Sequence, residues 1–167
     1  MAAAPAIITE SVISTVIYPD PVITLTYDPS AQWTRQFTCF LDGIKLNHTR
    51  YASRSVWMLP WYGLVIKADV GWQTWRERQF YEEKLRPEDT QFFPKRITCG
   101  RLDAAAKVDF IIQEYVSVDF VEPDTKPPLL VSWLCQKYEI EDVCNNNSNW
   151  GFRKFSQNPC IFDLGLA

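Results

Sequence analysis

The chain has 167 residues, of which 47% are hydrophobic and 22% charged, a composition that supports one packed domain and differs from that of a disordered protein. Its formal net charge is −3, and no run of lysine or arginine occurs, which argues against nucleic acid or an anionic membrane surface as a partner. No apolar run approaches the roughly 20 residues that a membrane-spanning helix needs. We therefore expect a soluble protein without a membrane partner.

The five cysteines indicate the compartment. They are odd in number and irregularly spaced, and the N-terminal residues lack the basic and apolar regions of a signal peptide. With a single histidine in the chain, a Cys/His metal site has few ligands to draw on. These features predict free thiols in a cytoplasmic protein.

The first half of the chain predicts short strands. Residues 7–27 are rich in Ile, Val and Thr around a proline turn, which is typical of two strands. Further strands are predicted over Gln36–Leu41, Arg54–Leu59 and Gly63–Ala68. The last of these is an apolar run interrupted near its end by Lys67, and burial in a sheet explains the apolar residues but not the charge.

The second half mixes helices and strands. A helix rich in Gln, Glu, Arg and Lys is predicted over Trp72–Arg86, ended by a proline. The remaining segments, in chain order, are strands over Phe92–Cys99 and Val108–Val116, a linker over Pro123–Pro128, a short helix over Leu129–Tyr138, a polar loop over Glu141–Asn149, and a hairpin of Trp150–Phe152 with Cys160–Phe162. Strands, helix, strands, helix and hairpin predict an α+β fold and not a βαβ repeat.

Three segments carry chemistry in a fixed order. The first is Leu64–Lys67 followed by a helix with Glu77, the second is Phe110–Val116, and the third runs from Asp142 to Asp163. Leu-Val-Ile-Lys is similar to the strand V-A-I-K, and Asp-Leu-Gly-Leu-Ala is similar to D-F-G-L-A. Together, from Phe37 to the C-terminus, they resemble the protein-kinase-like superfamily, including aminoglycoside-phosphotransferase-like and small phage-type members.

The resemblance implies an architecture. Residues 1–167 would form a single kinase-like domain, with residues 1–116 as an N-lobe made of an antiparallel sheet and one main helix. Residues 117–128 would be the hinge or linker. Residues 129–167 would be a truncated C-lobe of a short helix, a catalytic-loop-like turn and a β-hairpin. Because little follows Asp163, we expect a protein partner to cover the apolar surface that the missing helices would bury.

The resemblance also implies ATP and Mg²⁺ as cofactors. Phosphoryl transfer needs a cation on the phosphates, oxygen ligands for the metal, and a carboxylate near the attacking hydroxyl. The implied roles are Lys67 and Asp142 in catalysis, Lys67, Glu77, Ser53, Arg54, Glu114 and Val116 in nucleotide binding, and Asn149 with Asp163 in metal binding. For adenine, we expect the backbone of Glu114–Val116 to be free at a strand end beside a cleft.

Some assignments have alternatives. Glu82 and Glu83 are alternatives to Glu77 as partner of Lys67. Kinase loops of the form H-R-D-x-x-x-x-N favour Asn147, whereas the hairpin leading to Asp163 favours Asn149.

The sequence also departs from the kinase pattern. Residues 46–58 contain no glycine, and no His-Arg precedes Asp142. Two functions therefore remain open: an ATP-binding phosphotransferase acting on a hydroxyl group, and a catalytically inactive interaction module (a pseudokinase such as a virus could encode) that docks onto another protein. A third alternative is an unrelated α+β binding domain.

Overall fold

The computed structural model describes residues 11–48, 54–119, 121–122, 124–140 and 149–164. These residues form a mixed α+β fold with antiparallel sheets and few helices, as the sequence predicts. The first sheet has the order β1-β2-β3-β4, with strands Ile13–Pro19, Val22–Tyr27, Phe37–Leu41 and Ile44–Lys45. Pro19 ends β1 and Val22 begins β2, which places the predicted proline turn between them.

The second sheet, called the central sheet below, has the order β5-β6-β8-β7. Its strands are β5 (Ser55–Leu59), β6 (Leu64–Val70), β7 (Arg96–Asp103) and β8 (Val108–Glu114). Helix α1 (Gln73–Gln79) connects β6 to β7 and continues as a wider π-helical turn over Phe80–Lys84.

The remaining elements form the C-terminal part. Strand β9 (Val118–Asp119) is followed by helix α2 (Leu129–Tyr138) and the hairpin of β10 (Trp150–Arg153) and β11 (Pro159–Ile161). These three strands make a small sheet in the order β11-β10-β9. No helix in the described ranges has the length and apolar character needed to cross a membrane.

The central sheet is covered on both faces. Along β6, Leu64, Ile66 and Ala68 belong to an apolar core shared with the first sheet, whereas Lys67 and Asp69 point to the opposite face because successive side chains of a strand alternate. The opposite face carries α1. The alternation thus separates an apolar face, buried against the N-terminal strands, from a polar face that faces the helix.

A second core joins the end of α1 to the C-terminal part. Phe80, Phe93, Leu134, Trp150 and Ile161 are all buried in it, and they come from the π-helical turn, the segment before β7, α2 and both strands of the hairpin. Packing of this apolar cluster holds the hairpin beneath the polar face of the central sheet.

One predicted strand begins and ends later in the chain than expected. The strand predicted to start at Phe92 begins at Arg96 and extends to Asp103. The residues before it form a 3₁₀ turn over Pro87–Phe92, and Pro94 has no N–H to donate to a ladder. The linker predicted over residues 117–128 contains strand β9, which pairs with β10.

Candidate functional site

Lys67 and Glu77 meet on the polar face of the central sheet. Asp69 ends the buried part of β6, and its carboxylate accepts hydrogen bonds from the backbone N–H groups of Gln73 (3.3 Å) and Thr74 (3.1 Å). This capping fixes the start of α1, so that Glu77, one turn further along, faces the strand. Nζ of Lys67 lies 3.5 Å from Oε2 of Glu77, the adjacency predicted from the sequence. The two side chains are only 6% and 2% exposed.

Arg54 joins the same cluster. Its Nη2 contacts Oε1 of Glu77 and lies 3.5 Å from Oδ1 of Asp163. Its Nη1 lies 3.5 Å from the hydroxyl oxygen of Thr74. The cluster of Arg54, Lys67, Glu77 and Asp163 therefore balances two cations with two carboxylates, which is what burial of charged groups requires.

The two cations respond differently to this environment. Burial lowers the pKa of Lys67, and the positive charge of Arg54 adds to that shift, while Glu77 opposes it. Burial also opposes the charge of Arg54, but Glu77 and Asp163 outweigh it and raise the pKa of Arg54. The nearby carboxylates thus outweigh the effect of burial on the pKa of Arg54 but not on the pKa of Lys67.

The C-terminal hairpin reaches the cluster through its backbone. The carbonyl oxygen of Phe162 accepts hydrogen bonds from Nζ of Lys67 (3.3 Å) and from Nε2 of Gln113 (3.4 Å). The carbonyl oxygen of Asn149 accepts from the N–H groups of Phe162 (3.0 Å) and Asp163 (3.3 Å). Antiparallel pairing of β10 with β11 therefore brings Asn149 beside Asp163, as the hairpin argument predicts.

A cavity of about 330 Å³ opens between the central sheet and the hairpin. Val56, Met58 and Val65 give it an apolar side, Lys67 and Gln113 lie among its polar lining residues, and the segment from Glu114 to Val118 borders it with Phe162, Asp163 and Lys154. Its volume falls within the range of small-molecule sites, and an apolar lining with a few convergent polar groups is their usual composition.

The predicted adenine segment lies at this cavity but differs in one respect. Strand β8 ends at Glu114, two residues earlier than the strand predicted over Val108–Val116, so the segment lies at a strand end as expected and Val116 lies outside the strand. The backbone N–H of Glu114, however, donates to Lys95 (2.8 Å), and that of Tyr115 donates to Gly63 (2.8 Å). These two N–H groups are not free, because the end of β8 is still held between its neighbouring strands.

The other predicted residues divide into two groups. Ser53, Asp142 and Asn147 lie outside the described residues. The alternatives to Glu77 point elsewhere: Glu82 lies 3.6 Å from Arg96, and Glu83 is exposed.

Two features of the site were not predicted from the sequence: the hydrogen bond of the Gln113 side chain to Phe162 and the ion pair between Arg54 and Asp163. A polar residue within the apolar run Phe110-Ile111-Ile112-Gln113 was a feature that could have revealed Gln113, because a buried amide needs a hydrogen-bond partner. No such local feature points to the ion pair.

The hairpin offers oxygen ligands of the chemical types that a hard divalent cation such as Mg²⁺ binds. A carboxylate (Asp163) and an amide oxygen (Asn149) are ligands that Mg²⁺ takes, and phosphates usually complete such a site. Within the described ranges, no group of three or more His, Cys, Asp or Glu side chains is placed to hold a metal, so water or phosphate oxygens would have to supply the other ligands. The Asp163 carboxylate also already lies beside Arg54.

In comparisons with known proteins, no family model, curated protein or solved structure matches this chain.

Proposed function

We propose that this chain is a kinase-like protein that binds Mg-ATP in the cavity between the central sheet and the hairpin. The observation that carries the proposal is the buried ion pair of Lys67 with Glu77 at the edge of that cavity. Protein kinases need such a strand lysine paired with a helix glutamate to hold the phosphates of the nucleotide. The order of strand, helix, strand and cavity-lining segment supports the same conclusion.

Each group around the cavity has a role in this proposal. The ammonium of Lys67 binds the phosphates, and the apolar side of the cavity receives the adenine. The backbone of Val116 would bind the adenine together with the carbonyl of Glu114, because the N–H of Glu114 already donates to Lys95. Asn149 and Asp163 would hold Mg²⁺, which when bound neutralises phosphate charge. If phosphotransfer occurs, Asp142 takes the proton of the attacking hydroxyl.

The compartment is part of the same proposal. A cytoplasmic location would keep thiols reduced, which suits the buried Cys39 and Cys160, neither of which is in a disulfide. Burial raises the pKa of each of these two thiols to about 12, so they are unreactive packing residues and not nucleophiles.

Thermal unfolding with and without Mg-ATP tests the proposal. A ligand that binds only the native state raises stability by RT ln(1 + [L]/Kd), about 2.7 kcal/mol at a hundredfold excess over Kd. We expect a rise in Tm that saturates with Mg-ATP and is smaller with Mg-AMP, which lacks the β- and γ-phosphates. An unchanged Tm at millimolar Mg-ATP, together with no heat of binding in calorimetry, would rule out nucleotide binding.

A second candidate is the inactive interaction module. Leu129 is 89% exposed and Trp133 is half exposed, and the two lie one helical turn apart on α2. Neighbouring exposed apolar side chains are typical of a surface that another protein covers. This function predicts no stabilisation by Mg-ATP, so the same titration separates the two candidates.

A further inference from the structure

Arg54 lines one cavity and contacts Asp163, which lines the other and is proposed to bind metal. The cavity that Arg54 lines has a volume of about 310 Å³ and lies between the first sheet and the central sheet. The guanidinium of Arg54 extends from there to Glu77 and Asp163, while its side chain is only 3% exposed. The two ion pairs of this buried arginine are therefore part of the folded interior and not contacts at the protein surface.

Arg54 and a divalent cation would both interact with the carboxylate of Asp163. Oδ1 of Asp163 lies 3.5 Å from Nη2 of Arg54, whereas a magnesium ligand must lie about 2.1 Å from the metal. A metal bound to Oδ1 would lie within about 6 Å of Nη2 of Arg54, and like charges at that distance repel each other. The ion pair of Asp163 with Arg54 and the ligation of a metal by Asp163 therefore weaken each other.

Arg54 can also lose its ion pair with Asp163 without becoming unpaired. Its contact with Glu77 is the closer of its two carboxylate contacts, and Thr74 provides a further oxygen. Asp163 is the more exposed carboxylate of the two, with 18% of its side chain accessible. Loss of the contact with Asp163 would leave the guanidinium paired, so it carries little penalty from an unpaired buried charge.

We propose that Arg54 competes with a divalent cation for Asp163 and thereby sets the metal concentration that the nucleotide site requires. The inference rests on the proposed function in taking Asp163 as a metal ligand. The new element is that the fold supplies an internal cation beside the proposed metal ligand, so that metal binding has to weaken the contact between Arg54 and Asp163.

Binding of Mn²⁺ alone, measured by electron paramagnetic resonance without nucleotide, tests this. Mn²⁺ takes the same carboxylate and carbonyl ligands as Mg²⁺ and is observed directly. We expect Arg54→Gln to tighten Mn²⁺ binding about tenfold, equivalent to about 1.4 kcal/mol. Adding Asp163→Asn to that variant should abolish the gain. Arg54→Lys, which keeps the charge near Glu77 but has a shorter reach, should tighten binding by a smaller factor.

Arg101→Gln is the matched control. Asp109 is a buried carboxylate with two arginine partners, Arg78 and Arg101. Arg101→Gln therefore removes one positive charge beside a buried carboxylate, as Arg54→Gln does, but at a different place in the fold. We expect its Mn²⁺ affinity to equal that of the parent.

Three results would overturn the inference: equal Mn²⁺ affinity in the parent and in both Arg54 variants, equal tightening by Arg101→Gln, or a gain that survives Asp163→Asn. If Arg54→Gln does not fold, Arg54→Lys alone decides, since unchanged affinity there also contradicts the competition. Failure of ATP to bind would refute the proposed function but would not change any of these Mn²⁺ measurements.

Discussion

Replacement of Lys67 by methionine should weaken nucleotide binding and lower the stability of the fold only moderately. Lys67 is buried and donates a hydrogen bond to the carbonyl of Phe162 over 3.3 Å. Methionine has a similar length and no charge, so it fills the same space. Glu77 keeps Arg54 as its partner in the variant, which avoids an unpaired buried carboxylate.

The magnitudes follow from these contacts. The variant loses one ion pair and one hydrogen bond and leaves one cation for two carboxylates in the cluster, but it no longer buries an ammonium, and Glu77 stays paired with Arg54. We therefore expect the free energy of unfolding to fall by about 1–2 kcal/mol. A hydrogen bond to a charged group contributes about 1.5–3 kcal/mol, so the affinity for Mg-ATP should fall roughly 10- to 100-fold.

Urea unfolding and titration calorimetry measure the two effects on the same samples. Lys84→Met is the control, because Lys84 is exposed at the end of the π-helical turn and should alter neither quantity. A loss of more than about 3 kcal/mol of stability in Lys67→Met would show that the ion pair is structural. Unchanged affinity for Mg-ATP would show that Lys67 does not bind the phosphates.

Three further predictions concern the fold. Asp109→Asn should lower the free energy of unfolding by about 3 kcal/mol in urea titration, because both arginine partners lose a buried carboxylate; a change below about 1 kcal/mol would contradict this. Burial opposes the charge of Asp89, but hydrogen bonds from Lys137 and Tyr138 outweigh burial and lower its pKa below the ordinary 3.8. The ionised carboxylate therefore stabilises the fold fully above pH 3.8, and this contribution is lost as the pH falls through the lower pKa of the folded state. Asp89→Asn should therefore be less stable than the parent at pH 7, with a gap that closes below pH 3.8 in acid titration and would stay constant if the pKa were unshifted. Gly151→Ala should cost about 1–3 kcal/mol in thermal unfolding, because its Cβ would lie 3.0 Å from a carbonyl oxygen of β9, and full stability would argue against the pairing of β9 with β10.

The parts of the site that local patterns encode could be predicted from the sequence. Strand alternation sets Lys67 apart from Ile66 and Ala68, and a helix that begins a few residues later brings a carboxylate back over the strand. The hairpin likewise places Asn149 next to Asp163, because antiparallel pairing fixes which residues are adjacent. Both contacts depend on short connections, and this made them accessible without coordinates.

The parts that depend on tertiary packing could not be predicted. Arg54 meets Asp163 only because the hairpin docks beneath the central sheet, and no local pattern relates residues so far apart in the chain. Strand β9 has two residues and no strand pattern of its own, and it exists because β10 offers it a partner. Phe93 resembles a strand residue by its apolar character, but the second core and not a sheet buries it.

The shared carbonyl of Phe162 has a consequence for local unfolding. It connects the hairpin to Lys67 and Gln113, while β10 and β11 belong to a separate apolar core from that of the central sheet. We therefore expect the hairpin to open at a lower free energy than global unfolding, and such an opening would separate the residues of the candidate site while the central sheet stays intact. Amide hydrogen exchange in Trp150–Arg153 should then be faster than in β6, and a ligand that bridges the two parts would slow it selectively.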